Sequence, residues 1–200
     1  MYNTYHVMEH FYTLQGEGYY TGQAAYFIRL AGCDVGCVWC DVKDSWEQSN
    51  HPVMSVESLL KFVLDSGAKI CVITGGEPCM YDLTALSLAL KQHLIRVHIE
   101  TSGTHPLTGQ IDWVCLSPKK FKAPLTSVLN LANEFKPVIF HQSDFAWAES
   151  MRTHLPAHCK LYLQVEWSKR EQLSPSIVDY IKAHQDWALS IQTHKYIQIP

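Results

Sequence analysis

The chain has 200 residues, 47% of them hydrophobic and 18% charged, with 16 basic side chains against 19 acidic ones. That length suits a single domain (1-200) able to bury a substantial core, and the composition is too even for disorder. A net charge of -3 leaves no basic footprint, which argues against a nucleic acid as a direct partner. No apolar run approaches the roughly 18 residues of a membrane span, and Arg29 interrupts the best stretch, residues 24–31. The first residues, Met1-Tyr-Asn-Thr-Tyr-His6, show no basic segment leading into an apolar one, so no secretory signal is expected. A cytoplasmic location is the expectation. There the seven cysteines would stay reduced, and their odd number already argues against a disulfide framework. They are either scattered small hydrophobes or, in part, metal ligands.

Along the chain, apolar runs alternate with amphipathic ones and no repeat or linker divides them. Residues 24–31 read as a buried strand. Ser55 offers an N-cap to a helix over 56–65, with Val56, Leu59, Leu60 and Val63 at helical spacing and Gly67 as its stop. Residues 69–74 read as a second strand, and Asp82 opens a helix to about His93. Strands three and four are expected over 95–101 and 111–116. A helix over 125–135, a short strand over 138–141, a helix over 145–155 and a strand over 160–165 follow. Ser174-Pro175 looks like an N-cap with proline at the first helical position, opening a helix to about His184. Residues 187–192 give the last strand. The alternation predicts an α/β fold with a mostly parallel sheet. A closed eight-fold barrel typically takes about 250 residues, so a partial, open and truncated TIM-like barrel fits better.

In such sheets chemistry gathers beyond the carboxyl ends of the strands. Cys33, Cys37 and Cys40 follow the first strand, and Thr74-Gly-Gly-Glu-Pro78 the second. Glu100-Thr-Ser-Gly103 closes the third, Ser117-Pro-Lys119 follows the fourth, and Gln164 and Gln192-Thr-His194 end the last two. Six clusters on one rim point to an active site.

The cysteines stand as Cys33-x3-Cys37-x2-Cys40 in a loop with glycines at 32 and 36, which can turn three thiolates toward one centre. Such soft ligands suit zinc or an iron–sulfur cluster. Structural zinc wants four ligands, and no second Cys or His pair stands nearby. Three thiolates on a cubane leave one iron open for a reactive ligand. The remaining Cys71, Cys79, Cys115 and Cys159 read as small buried hydrophobes. Arg29, alone in an apolar strand, demands a partner: a carboxylate of a ligand, or a structural salt bridge.

The cysteine triplet with Trp39 before its third member, followed by Gly75-Gly-Glu-Pro78, resembles the radical S-adenosylmethionine superfamily. Within it, Phe11-Tyr-Thr-Leu-Gln-Gly-Glu-Gly18, Phe27-Ile-Arg-Leu-Ala-Gly-Cys33, Glu100-Thr-Ser-Gly-Thr104, Ser117-Pro-Lys119 and Gln192-Thr-His-Lys195 resemble the 7-carboxy-7-deazaguanine synthase family. The match runs from about residue 8 to the last residue.

The resemblance implies a lyase of queuosine and 7-deazapurine biosynthesis, acting on 6-carboxy-5,6,7,8-tetrahydropterin with loss of ammonia. It implies a 4Fe-4S cluster on Cys33, Cys37 and Cys40, and S-adenosylmethionine held by Trp39, Gly75, Gly76, Glu77, Ser117 and Lys119. It assigns the substrate to Leu14, Gln15, Gly16, Glu17, Arg29, Thr101, Ser102, Gln164, His194 and Pro200. Glu100 shares in pterin or cofactor contacts, and Lys195 approaches the reacting face. Arg29 matches the family's arginine for the substrate carboxylate, a bidentate task. Gln15 and Glu17 would read the amino-pyrimidinone edge, whose neighbouring N–H donors suit a glutamate. Pro200 would bring a terminal carboxylate to the same edge. A homodimer and a flavodoxin or ferredoxin as electron donor complete the implied picture.

Two positions depart from the family. Many members have Cys-Asp-Thr, whose threonine helps to hold a magnesium ion against the substrate carboxylate; here the run is Cys40-Asp41-Val42. Valine cannot ligate a hard cation, so magnesium falls to water or Asp41. Leu-Gln-Pro becomes Leu163-Gln164-Val165, keeping the glutamine and losing the proline. Two other readings stay open at this stage. One is a radical activase of a partner protein, which would not need Gln15-Gly-Glu-Gly18; the other is a non-catalytic iron–sulfur or zinc module, which gives no reason for Arg29.

Overall fold

The computed structural model describes residues 3–200. Its strands are β1 (Thr4–Leu14), β2 (Ala24–Leu30), β3 (Val53–Ser55), β4 (Ile70–Gly75), β5 (Arg96–Thr101), β6 (Trp113–Leu116), β7 (Glu134–Phe135), β8 (Val138–Ile139), β9 (Lys160–Val165) and β10 (Trp187–Ser190). Its α-helices are α1 (Val56–Ser66), α2 (Thr84–Gln92), α3 (Thr126–Leu129), α4 (Ser143–Arg152), α5 (Arg170–Ala183) and α6 (Thr193–Ile197). The strands form one sheet in the order β10-β9-β7-β6-β5-β4-β2-β1-β3, with β8 beside β9. Every neighbouring pair from β2 to β10 is parallel, while β1 runs antiparallel to β2 and β3. β10 and β3 are unjoined edges, so the barrel is partial and open, as expected.

Period-two alternation sorts the strands' side chains onto two faces. Tyr26, Ile28, Leu30, Cys71, Ile73, Val97 and Ile99 pack outward with Leu59, Val63, Leu86 and Leu90 of α1 and α2. Leu116, Phe135, Ile139 and Leu163 build a second core with Phe145 of α4 and Leu173 and Ile177 of α5. Phe27 and Val72 face the other way and pack with Tyr20, Ala25 and Ile70 inside the barrel. Further up that inner face stand Arg29, Thr74 and Glu100, so the interior turns polar toward the rim.

Local chemistry sets the helix ends. Ser55 Oγ accepts from Ser58 N at 3.2 Å to start α1, and Gly67 at φ 72 ends it in the left-handed region. Asp82 caps the next turn, accepting from Thr84 N at 2.9 Å, so α2 begins at Thr84. Four expectations need correction. β1 and β3 were not anticipated: β1 carries His6, Glu9, His10 and Thr13, and only one of its faces is well buried. The helix expected over 125–135 stops at Leu129, because Glu134 and Phe135 join the sheet as β7. There Phe135, wholly buried, is in register with Leu116 on one side and Leu161 on the other. α5 starts at Arg170 rather than at Ser174, behind a turn whose Glu166 side chain accepts from Ser168 N at 3.1 Å. Pro175 lies inside that helix; both it and Glu171, the residue four positions earlier, are exposed, so the freed carbonyl lies on the solvent side. The last strand ends at Ser190, and residues 193–197 form α6 instead.

Leu59 is fully buried between α1 and the sheet, far from the polar interior. Leu59→Ala is expected to lower unfolding stability by about 2–5 kcal/mol. A urea titration checks this as a lowered midpoint with an unchanged slope.

Candidate active site

A cavity of about 270 Å³ opens at the carboxyl ends of the parallel strands. Cys33, Cys37 and Cys40 lie on its wall together with Gly75, Gly76, Arg29, Ser117, Gln164 and His194. The cysteine loop is pinned from below and from both sides. Gly32 N donates to Ser45 O at 2.6 Å, and Gly76 N and Glu77 N donate to Leu30 O and Gly32 O at 2.9 and 2.8 Å. A Cβ on Gly75 would stand 2.0 Å from Leu30 O, and one on Gly76 would stand 2.2 Å from Gly32 O and 2.9 Å from Cys33 Cβ. Both glycines are required by this backbone crossing, and Gly75 also sits at φ +141. On the outer side Trp39 stacks on Phe140 at 4.9 Å, and Asp34 binds Lys122 at 2.8 Å and His105 at 3.0 Å.

The three thiols lie within electrostatic reach of one another. Among the described residues no three His, Cys, Asp or Glu side chains crowd together tightly enough for a single metal ion. A cluster that takes each thiolate on a separate iron fits this donor set better than one zinc ion does. Burial pushes the Cys33 and Cys37 thiols up, so loading the site must release protons. Lys119 stands close by and donates to Ser117 Oγ at 3.0 Å and to Ser117 O. Burial lowers its pKa, with Cys37 opposing.

Glu77 is 1% exposed, and its carboxylate collects donors from its own turn and from the end of β5. It accepts from Cys79 N at 3.0 Å, from Ser102 N at 2.8 Å, and from the hydroxyls of Thr101 and Ser102. Three residues expected to contact ligands separately thus form one knot joining the ends of β4 and β5. Cys71, Cys79 and Cys115 are buried as expected, and burial pushes the Cys79 thiol up to about 12. Cys159 is only half-buried, at the edge of the second core.

The Gln15–Glu17 turn reaches the cavity from the opposite end of the sheet. Leu14 pairs with Ala24, the first residue of β2, so β1 ends beneath the barrel and the chain crosses its interior as a floor. The floor is sewn to the far edge: Gly18 N donates to Ser190 Oγ at 3.0 Å, and Thr193 N and Oγ1 donate to Gly16 O at 2.9 and 2.8 Å. Gly16 has no room for a Cβ, which would meet His194 Nδ1 at 2.2 Å. Gln15 Nε2 donates to Glu100 Oε1 at 2.9 Å, and Gln192 Nε2 donates to Glu17 Oε1 at 2.8 Å. Glu17 Oε2 accepts from Lys136, a buried lysine that the sequence reading passed over. Burial would raise the Glu17 carboxyl, but the Lys136 ammonium and Gln192 outweigh it and hold the carboxyl at about 2. Burial lowers the pKa of His194, which stands beside them.

Arg29 Nε binds Glu9 Oε1 at 2.7 Å, directly across the β1–β2 ladder. The structural salt bridge therefore exists, and Arg29 lines the cavity as well, with 20% of its side chain exposed. Asp41 Oδ2 is taken by Lys195 Nζ at 2.7 Å and Gln192 Nε2 at 3.5 Å, with Val42 beside them. Leu14, Gln164 and Pro200 also line the cavity, and Gln164 Oε1 accepts from Ser190 Oγ at 2.8 Å. Lys136 carried a signal like that of Arg29: a lone charge in the apolar run Phe135-Lys-Pro-Val-Ile139. Gly76→Ala is expected to push the cysteine loop off its seat while the fold survives. Iron and sulfide per chain after anaerobic reconstitution should fall by at least about half, against an unchanged circular dichroism spectrum.

The model of the Radical SAM superfamily matches residues 27–118, the stretch from β2 to the loop after β6. The chain is 50% identical to the 7-carboxy-7-deazaguanine synthase of Flavobacterium psychrophilum, over 97% of this chain and 92% of that protein. It is 46% identical to the synthase of the same name from Synechocystis, over 98% and 94%. The crystal structure of QueE from Escherichia coli superposes with a TM-score of 0.85 at 35% identity, covering 96% of this chain and 95% of that one. With the cysteine wall, the glycine crossing and the polar floor in one cavity, these likenesses place the chain in the 7-carboxy-7-deazaguanine synthase family of radical S-adenosylmethionine enzymes.

Proposed function

We propose that the whole chain is one radical S-adenosylmethionine domain that converts 6-carboxy-5,6,7,8-tetrahydropterin to 7-carboxy-7-deazaguanine with loss of ammonia. The observation that carries this reading is one cavity with three cysteines on its upper wall and Gln15, Glu17 and Arg29 below them. Cys33, Cys37 and Cys40 would hold the 4Fe-4S cluster, with S-adenosylmethionine beside it along Gly75, Gly76, Ser117, Lys119 and Trp39. When bound, that pair supplies a carbon radical able to take hydrogen from the substrate.

The chain's own residues do the rest. Glu17, ionised and largely buried, accepts from the N–H donors of the pyrimidinone edge, and Gln15 is oriented beside it by Glu100. Arg29, braced through Nε by Glu9, offers its remaining N–H groups to the substrate carboxylate. Leu14 and Gly16 shape the floor, Gln164 and Pro200 border the ring, and His194 and Lys195 flank the reacting face. Glu77 on the S-adenosylmethionine side and Thr101 and Ser102 on the substrate side also line the cavity, and their mutual hydrogen bonds fix the two strand ends against which ligands pack.

The residues do not fit the family's magnesium ion. The Val42 side chain offers no oxygen, its carbonyl is taken by Ser45, and the Asp41 carboxylate is already paired with Lys195. A cation at this point is supplied by the Lys195 ammonium, so turnover proceeds without added magnesium. The electron donor in this reading is a flavodoxin or ferredoxin, the compartment is the cytoplasm, and the product feeds queuosine formation without contact between this chain and tRNA. Tyr12 and Phe62, exposed on either side of His10, give an aromatic surface on which a homodimer could form.

Incubating the reconstituted protein with reductant, S-adenosylmethionine and the carboxy-tetrahydropterin should yield the deazaguanine. An intact cluster that gives no such product overturns the reading. Arg29→Gln should raise the substrate KM by about tenfold or more at unchanged iron content, since a bidentate charged contact is lost. Chelating free magnesium should leave kcat/KM of the native chain unaltered, whereas Val42→Thr should make it rise with added magnesium.

A further inference from the structure

We infer that Lys136 is a positioning residue of the substrate site, a buried counter-charge that holds the carboxylates of Glu17 and Glu100 in the cavity floor as acceptors. The inference rests on the substrate reading above. Lys136 leaves the sheet just after β7, where its N–H donates to Leu116 O at 2.8 Å, and its side chain is only 3% exposed. Nζ donates to Glu17 Oε2 and stands 3.8 Å from Glu100 Oε2. The other oxygen of each carboxylate takes an amide, Gln192 for Glu17 and Gln15 for Glu100. Gln15 Oε1 in turn accepts from Glu17 N at 3.1 Å, which closes a ring of contacts around one ammonium.

This ring has the charge and vacancies that a donor-rich ligand edge needs. Two carboxylates and one ammonium leave one net negative charge facing the cavity. Each carboxylate oxygen has more acceptor capacity than the ring consumes. An isolated buried carboxylate would instead take up a proton, because burial disfavours its charged form. A buried lysine with no carboxylate partner would be equally costly. Neither side of the ring is tolerable without the other, and the cavity receives the surplus.

The groups facing Lys136 come from every neighbouring element: Glu100 of β5, Cys115 of β6, Glu134 of β7, Lys119 of the loop after β6, and Glu17 with His194 beyond it. Burial presses the Lys136 ammonium toward neutrality, and the surrounding carboxylates more than reverse this, so it stays charged. Burial pushes the Cys115 thiol well up, so it stays neutral. Burial lowers the pKa of His194 and so favours its neutral form. Burial likewise raises Glu134, with Lys136 opposing. With Glu17 held at about 2, its carboxylate stays ionised from pH 7 to 9. Removing Lys136 takes away the largest of the effects that oppose burial and leaves chiefly the Gln192 hydrogen bond, so the Glu17 carboxyl pKa rises and the acceptor weakens as the pH falls.

The test compares Lys136→Gln and Lys136→Arg with the native reconstituted holoenzyme, reading KM and kcat for the carboxy-tetrahydropterin from pH 7 to 9. Iron content and S-adenosylmethionine affinity serve as controls. Lys136→Gln should raise KM by about tenfold for each unit by which the floor carboxyl's pKa exceeds the assay pH. That excess should shrink toward pH 9 and exceed any change in kcat, with both controls unchanged. Lys136→Arg should restore the flat native profile. The inference is overturned if Lys136→Gln keeps the native KM at every pH, or if its loss is independent of pH and Lys136→Arg shares it. Should Lys136→Gln fail to fold, Lys136→Arg and the native enzyme decide: a native KM that climbs between pH 9 and 7 overturns the inference, and a flat one shared by Lys136→Arg supports it. Failure of the substrate reading shows differently, as a native holoenzyme that makes no deazaguanine.

Discussion

The site depends first on a backbone crossing between the ends of two neighbouring parallel strands. Gly76 and Glu77 donate to Leu30 and Gly32, at a separation that leaves no space for a side chain at 75 or 76. The crossing ties the start of the cysteine loop to the turn after β4. Glu77 then passes the restraint on, since its buried carboxylate collects donors from Cys79, Thr101 and Ser102. Three successive strand ends become one rigid ledge, and the thiols hang from its edge. Preorganisation of this kind lets a ligand bind without first ordering the protein.

The opposite wall works by charge. A barrel interior is ordinarily filled with branched apolar side chains. Here the inner face carries Arg29 and Glu100, with Lys136 and Glu17 beyond them, and their mutual pairing makes burial tolerable. Three charges that line the cavity are held by ion pairs: Arg29 by Glu9, Glu17 by Lys136, Lys195 by Asp41. Such paired charges are worth more as fixed dipoles for a ligand than as contributions to folding.

Much of this was legible in the sequence, and the limits have physical causes. Ser55 and Gly67 mark both ends of α1 because capping is local chemistry. The rim clusters could be placed because each follows an apolar run that had to be a strand. A two-residue strand such as β7 has no period to read, and Phe135 owes its strand to neighbours far away in the chain. Ser174-Pro175 carried a sound local signal for a helix start, overridden by an earlier turn around Glu166. In the site, Arg29 was legible as a lone charge in an apolar strand. Lys136 stood in an equivalent place, and Pro137 after it masked the sheet context. The Glu77 knot was illegible, since its partners lie 24 and 25 positions away. The direction from which Gln15 and Glu17 enter could not be read either, because it depends on β1 being antiparallel.

That entry from below has a temporal consequence. The floor is laid by residues 15–18, yet it is fastened by Ser190, Gln192 and Thr193. Synthesis delivers the floor long before its fasteners, since Gly18 and Ser190 lie 172 positions apart. Through most of translation, then, the cysteine wall and the parallel strands can assemble over a base that is still loose. A nascent chain would reach a substrate-ready state only when the segment around Gln192 has left the ribosome, so the pocket is completed by contacts that arrive long after its floor.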